Sequence, residues 1–207
     1  MRSTSLARAL AAMASMEQGK PYALRPEDAK RRLADELARL CREAGVAPVV
    51  IGGLAVNHHG YMRVTADVDI LVSRHDAVPL YRRLRREPGW KRHAESFKNT
   101  IVDVGLHICV EGERTAPGST EEFPDPADLR TLPVRPLPVL SLSELIALKV
   151  MSARARDDAD VVELLKRHRS RATSLKAAAS KRLRTAAARD RLDALLARAR
   201  AEAARRR

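Results

Sequence analysis

From Pro26 onward, Leu33, Leu37, Leu40, Cys41 and Ala44 recur on one helical face and Gly45 follows them. The spacing predicts a helix that Pro26 opens, the glycine ends and the apolar stripe lays against a sheet. "PVVIGG" (Pro48 to Gly53) reads as a short apolar strand running into a glycine turn, with a short helix from about Leu54 to His59 that Gly60 stops. "DVDILV" (Asp67 to Val72) is a second strand, "HDAVPLYRRLRR" a surface helix, and "EPGW" the turn that ends it. In "TIVDVGLHICV" (Thr100 to Val110), Val102, Val104, Leu106, Ile108 and Val110 alternate with Ile101, Asp103, Gly105, His107 and Cys109. Period two therefore makes one face of this strand apolar and puts Asp103 on the other.

Gly112 to Pro138 holds six prolines and is expected to be a loop excursion. "SLSE" (Ser141 to Glu144) matches a capping box that opens a helix, with Leu142, Leu145, Ile146 and then Lys149 on one stripe. "DDADVVELLKRH" is a further helical segment, and from about residue 168 the chain becomes a basic Ala/Arg-rich helix-forming tail. The division is a segment over 1–25, frayed or helical, an α/β core with a small mixed β-sheet over 26–140, and a helical C-terminal region over 141–207.

The chain has 207 residues, enough for a real core, but aromatics are only 3% of them, so that core must be built from Leu, Val, Ile and Ala. Cys41 and Cys109 are too few for a disulfide framework and lack metal-site spacing, which suits a reducing cytoplasm. No apolar run approaches the roughly 18 residues of a membrane span. From Arg167 to Arg207 there are 14 Lys or Arg against 3 Asp or Glu, a net +11 of the chain's +13. The basic tail is thus an expected RNA contact, and without aromatics it would act through phosphates alone. Leu192, Leu195, Leu196 and Ala199, at helical spacing, offer packing as the competing role.

Residues two apart in a strand point the same way, so Asp67 and Asp69 project together while Val68, Ile70 and Val72 enter the core. Two adjacent carboxylates repel unless a cation lies between them, and hard oxygen donors suit Mg²⁺ or Mn²⁺. Asp103, if its strand is a neighbour, supplies a third metal ligand or a base. Gly52 and Gly53 let backbone N–H groups approach phosphate oxygens, aided by the start of the helix behind them. His58, His59 and His107 read as exposed or packed side chains rather than ligands.

Gly52-Gly53, thirteen intervening residues, Asp67-Val68-Asp69 and a later Asp103 resemble the glycine turn, Asp-x-Asp and third Asp of the nucleotidyltransferase (DNA polymerase β-like) superfamily. Within it the chain is similar to the AbiEii-type branch known for toxins of type IV toxin–antitoxin systems. "GGLAVNHHGYMRVTADVDILV", "FPDP" (Phe123 to Pro126) and "LSELIALKVMSARARDDADVVELL" carry that likeness, over roughly Val46 to Arg167. Many active members have Ser after the first glycine, where this chain has Gly53. The resemblance implies a nucleotidyltransferase-fold core and transfer of a nucleoside monophosphate from an NTP to an acceptor hydroxyl, tRNA or other RNA included, with a cognate antitoxin as a further partner. It implies that Asp67, Asp69 and Asp103 hold the metal, Gly52 and Gly53 cradle phosphates, and Lys149 reaches the triphosphate. Arg63 and Thr65 would support the nucleotide site, and Asp157 and Asp160 would orient Lys149. The alternative is a non-catalytic nucleotide- or RNA-binding protein of the same fold that serves as a regulatory partner.

Overall fold

A computed structural model of the chain describes residues 26–93 and 96–205, so the segment expected to be frayed or helical over 1–25 lies outside the described residues. Within them stands a mixed α/β architecture: one seven-stranded sheet with helices, followed by a helical C-terminal region. Helix α1 (Pro26–Ala44) buries Leu33, Leu37, Leu40 and Cys41. It ends at Gly45 with φ at 69°, where the Gly45 N–H donates to the Arg42 carbonyl at 3.1 Å and the Val46 N–H to the Cys41 carbonyl at 2.8 Å. That pair of bonds closes a left-handed C-terminal cap that favours glycine.

Strand β1 (Val49–Val50) leads directly into α2 (Gly52–His58). The helix begins two residues earlier than the expected Leu54, so the two glycines form its first turn instead of a loop ahead of it. Next come β2 (Asp67–Val72), α3 (Arg74–Arg86), β3 (Trp90–His93), β4 (Ser96–Asn99) and β5 (Val104–Val110). With β6 (Thr131–Leu132) and β7 (Val139–Leu140) the sheet order is β3-β4-β5-β2-β1-β7-β6. Strands β2 and β5 are parallel neighbours in the register Val68 to Leu106, Ile70 to Ile108 and Val72 to Val110, and these six residues are buried on the face that α1 and α3 cover. By parity Asp67 pairs with Gly105 and Asp69 with His107 on the reverse face, where α2 lies.

The expected strand over 100–110 needs correction. Strand β5 starts at Val104, and residues 100–103 form the turn of a β4–β5 hairpin. The Asn99 side-chain oxygen accepts the N–H groups of Ile101 at 2.9 Å and Val102 at 3.2 Å, and the Thr100 N–H donates to the Gly89 carbonyl at 2.7 Å. Those bonds divert the chain from the ladder, leave Ile101 75% exposed and put Asp103 at a φ of 54°.

Helix α4 (Leu142–Ser152) is buried along its whole length. Ser141 stands at its N-cap as expected, but its hydroxyl makes no hydrogen bond, and Glu144 turns instead to Arg182, which donates to it at 2.9 Å and 3.1 Å. The capping box is therefore not formed, because a buried Glu144 finds a guanidinium stronger than a backbone N–H. Helices α5 (Ala155–Arg167), α6 (Ala172–Ser180) and α7 (Ala186–Ala204) complete the C-terminal region, with α7 packed on α4, α5 and α6. Leu192, Leu195, Leu196 and Ala199 are all buried, so the tail is docked on the core. Several of its cations are tied down as well: Arg191 to Asp158, Lys176 to Asp193 and Arg198 to Glu202. Both cysteines are free thiols in the interior, and among the described residues no helix is long and apolar enough to cross a membrane.

Because Leu192 is fully buried, Leu192→Ala is expected to lower stability by about 2–5 kcal/mol. Urea unfolding measures it, and an unshifted midpoint would show that α7 is not part of the cooperative core.

Candidate active site

A cleft of about 340 Å³ opens on the reverse face of β2, between the aspartates and the start of α5. Asp67 and Asp69 line one side, with Asp67 exposed and Asp69 one-quarter exposed. The glycines behind them are required by closeness. Gly52 has φ at 60°, and a Cβ there would fall 1.9 Å from Asp69 Oδ2; one on Gly53 would fall 2.4 Å from the hydroxyl oxygen of the buried Thr65. The Gly53 N–H donates to Asp69 Oδ2 at 3.4 Å, so the glycine turn holds the carboxylate in place.

Asp103 does not join them. Its carboxylate lies in the hairpin turn, 80% exposed, and pairs with Lys98 at 2.6 Å. The residues of β5 that face the aspartates are Gly105, where a Cβ would come within 2.1 Å of Asp67 Oδ1, and His107. The His107 Nδ1 is 3.5 Å from Asp69 Oδ1 and 3.7 Å from the Cys109 sulfur. Its hydrogen bond to Asp69, then that to Cys109, raises its pKa to about 10 against the effect of burial, so it is an imidazolium at neutral pH. Where the sequence led one to expect a third carboxylate, the site holds an imidazole. Among the described residues no group of three or more His, Cys, Asp or Glu side chains is placed to hold a metal ion. Cys109 also lines the cleft, but burial raises its thiol pKa, which argues against a thiolate nucleophile.

The opposing wall is basic and tightly bonded. Lys149, 6% exposed, bonds to Asp157 and lies 2.8 Å from Asp160, both of them buried on α5. Arg63 clasps Asp160 with two bonds, Nε to Oδ1 at 2.6 Å and Nη2 to Oδ2 at 2.8 Å. The backbone of Arg63 exchanges two further bonds with the Asn57 side chain, at 2.9 Å and 3.0 Å, which fixes the segment joining α2 to β2. Burial alone would raise the Asp157 pKa, but Lys149 with Ser152 and Arg154 more than reverses this and holds the carboxyl below its ordinary value. Asp157 and Asp160 thus both contact the Lys149 ammonium. The ammonium is, however, engaged by two carboxylates and is not a free charge at the cleft.

Two lining residues escaped the sequence reading. Arg154 and Arg156, at the start of α5, are exposed; Arg154 donates to Asp157 at 2.7 Å and Arg156 to the Val64 carbonyl at 3.0 Å. The doublet "RAR" directly before the Asp-x-x-Asp pair was their signal.

No family model and no curated protein matches the chain. Among solved structures it is similar to a crystal structure of ANT(2″)-Ia in complex with adenylyl-2″-tobramycin, at 12% identity over 74% of this chain and 98% of that one, with a TM-score of 0.46. A solution structure of the antibiotic-resistance factor ANT(2″)-Ia aligns at 12% identity over 84% and 93%, with a TM-score of 0.46. The crystal structure of JHP933 from Helicobacter pylori aligns at 11% identity over 85% and 93%, with a TM-score of 0.37.

Removing one partner from the buried network leaves uncompensated charge, so Asp160→Ala is expected to cost about 3–5 kcal/mol. A urea midpoint within error of the parent would refute that. The depressed Asp157 carboxyl contributes stability that is fully present above its unfolded pKa and is lost as pH falls through its lower folded value. Acid titration followed by circular dichroism should therefore show this contribution holding down to about pH 4 and decaying below it.

Proposed function

We propose that the protein is a divalent-metal-dependent nucleotidyltransferase that moves a nucleoside monophosphate from an NTP to an acceptor hydroxyl, with RNA as the acceptor. The observation that carries the reading is one cleft with two strand-borne carboxylates on one side and Arg154, Arg156 and the Arg63–Lys149 network on the other. Asp67 and Asp69 would hold Mg²⁺ or Mn²⁺; the donor set fits, since Mg²⁺ is often held by one or two carboxylates and completed by water and substrate phosphates. The ion supplies neutralisation of charge on the triphosphate.

The chain's own residues then act by position and charge, which is most of what phosphoryl transfer asks of a protein. Arg154 and Arg156, the exposed cations of the cleft, take the outer phosphates. Gly52 and Gly53 keep Asp69 in place and leave room for the nucleotide, while Thr65 packs beneath Gly53. Lys149 and Arg63, fixed to Asp157 and Asp160, form a rigid, charge-balanced wall. The acceptor oxygen bonds to the α-phosphorus as the bond to the pyrophosphate oxygen breaks, and the acceptor proton passes to solvent. The resemblance to AbiEii-type proteins extends the proposal to a toxin of a cytoplasmic toxin–antitoxin pair.

A second reading, a nucleotide- or RNA-binding protein without turnover, is favoured by two observations: His107 Nδ1 lies 3.5 Å from Asp69 Oδ1, and Asp103 is outside the cleft. Incubation with each labelled NTP, Mg²⁺ and total RNA separates the two. Transfer of label to RNA supports the enzyme, and nucleotide binding with no transfer selects the second reading.

Asp67→Asn and Asp69→Asn should each reduce transfer at least about 100-fold with little change in melting temperature, since neither carboxylate faces the apolar core. Asp103→Asn should leave transfer within about twofold of the parent, because its carboxylate pairs with Lys98 at the surface, outside the cleft. Equal loss in all three variants would restore Asp103 to the site and refute the geometry.

A further inference from the structure

A second groove, of about 580 Å³, adjoins the cleft, and His107 lines both. Three elements bring guanidinium groups to it: α3 with Arg82 and Arg85, β3 with Arg92, and the segment after β5 with Arg114. Its acidic lining residue is Glu113. Among the described residues, the side chains of Arg82, Arg85 and Arg114 make no hydrogen bond or ion pair, although all three are exposed and line the same groove with like charge. An aromatic surface completes the groove. The half-buried Tyr81 ring stacks on the buried Phe97 ring, with centroids 5.8 Å apart and planes 22° from parallel, and the exposed Val78 stands beside them.

Like charges held together without partners in a concave site are complementary to a polyanion, and a stacked aromatic pair is complementary to an unpaired base. We infer that this groove binds the single-stranded end of the RNA acceptor, with Arg82, Arg85 and Arg114 on successive phosphates and Tyr81 against a base, so that the strand's terminal hydroxyl arrives past His107 at the cleft. The inference rests on the proposed nucleotidyltransferase reading and names its acceptor site. It also moves the RNA contact away from the tail, whose leucines are buried and several of whose cations are already paired. A duplex lacks the unpaired base that the ring selects, so single strands are preferred.

The test measures binding of a fluorescent eight-nucleotide RNA to the full chain over a range of salt concentrations, for the parent, a triple variant Arg82→Gln/Arg85→Gln/Arg114→Gln and a tail control Arg169→Gln/Arg184→Gln/Arg189→Gln. Binding of a non-hydrolysable ATP analogue and a melting curve are recorded for each protein. Single-strand binding loses about 0.7 of log–log salt slope per phosphate contact, so the groove variant should flatten the slope by about 2 and weaken low-salt binding at least about tenfold. Its nucleotide binding and melting temperature should match the parent, and the tail control should bind RNA like the parent. An unchanged slope in the groove variant, or a loss confined to the tail control, overturns the groove. Failure of the parent to bind the ATP analogue overturns the nucleotidyltransferase reading instead, so the two failures are told apart.

Discussion

The fork between Arg63 and Asp160, continued through Lys149 to Asp157, is the constraint on which the cleft depends. Four charged groups from three parts of the chain meet where little water can screen them, and removing any one would leave a partner's charge in the interior without its counterion. The fork pulls the segment between α2 and β2 against the C-terminal helices. That segment delivers Thr65 beneath Gly53 and then Asp67 and Asp69 to the mouth of the cleft. A hydrophobic contact of similar area would hold the helices together but would not fix the segment's direction, whereas a two-bond guanidinium–carboxylate fork has a defined plane and register.

Much of this was legible in the sequence, for reasons that can be given residue by residue. Strand parity in "DVDILV" separates the aspartates from Val68, Ile70 and Val72, because alternation is a backbone property that burial of one face enforces. The cap at Gly45 is equally local. The β3–β4 hairpin was not legible, since Lys91, Arg92 and His93 are exposed and Lys98 is only partly buried, so neither short strand shows an apolar alternation. Asp103 was misplaced because the alternation in the sequence runs unbroken through a turn, and what ends the strand is the side chain of Asn99, a residue outside the pattern. The stripe containing Lys149 was visible; its two partners were expected to orient it, but not to bury and occupy it.

Charge counts mislead in a related way. The tail holds most of the net charge, yet several of its cations are paired within the C-terminal region, and its helix packs on the core. The first 166 residues are nearly neutral in sum, but residues 82–98 hold seven Lys or Arg against two Asp or Glu, and Arg82, Arg85 and the nearby Arg114 line one groove without an ion pair among the described residues. What a partner senses is the local uncompensated charge, which depends on where the acids lie in space.

The distance in sequence between Arg63 and Asp160 also sets a clock on biosynthesis. At about 5–20 residues per second, a ribosome adds Asp160 roughly 5–19 s after Arg63. Through that interval the nascent chain already carries both aspartates of β2 but has no carboxylate for the Arg63 fork and no wall opposite the aspartates. A chain released by truncation or stalling before α5 is in the same state, so the cleft takes shape only once α5 has been made.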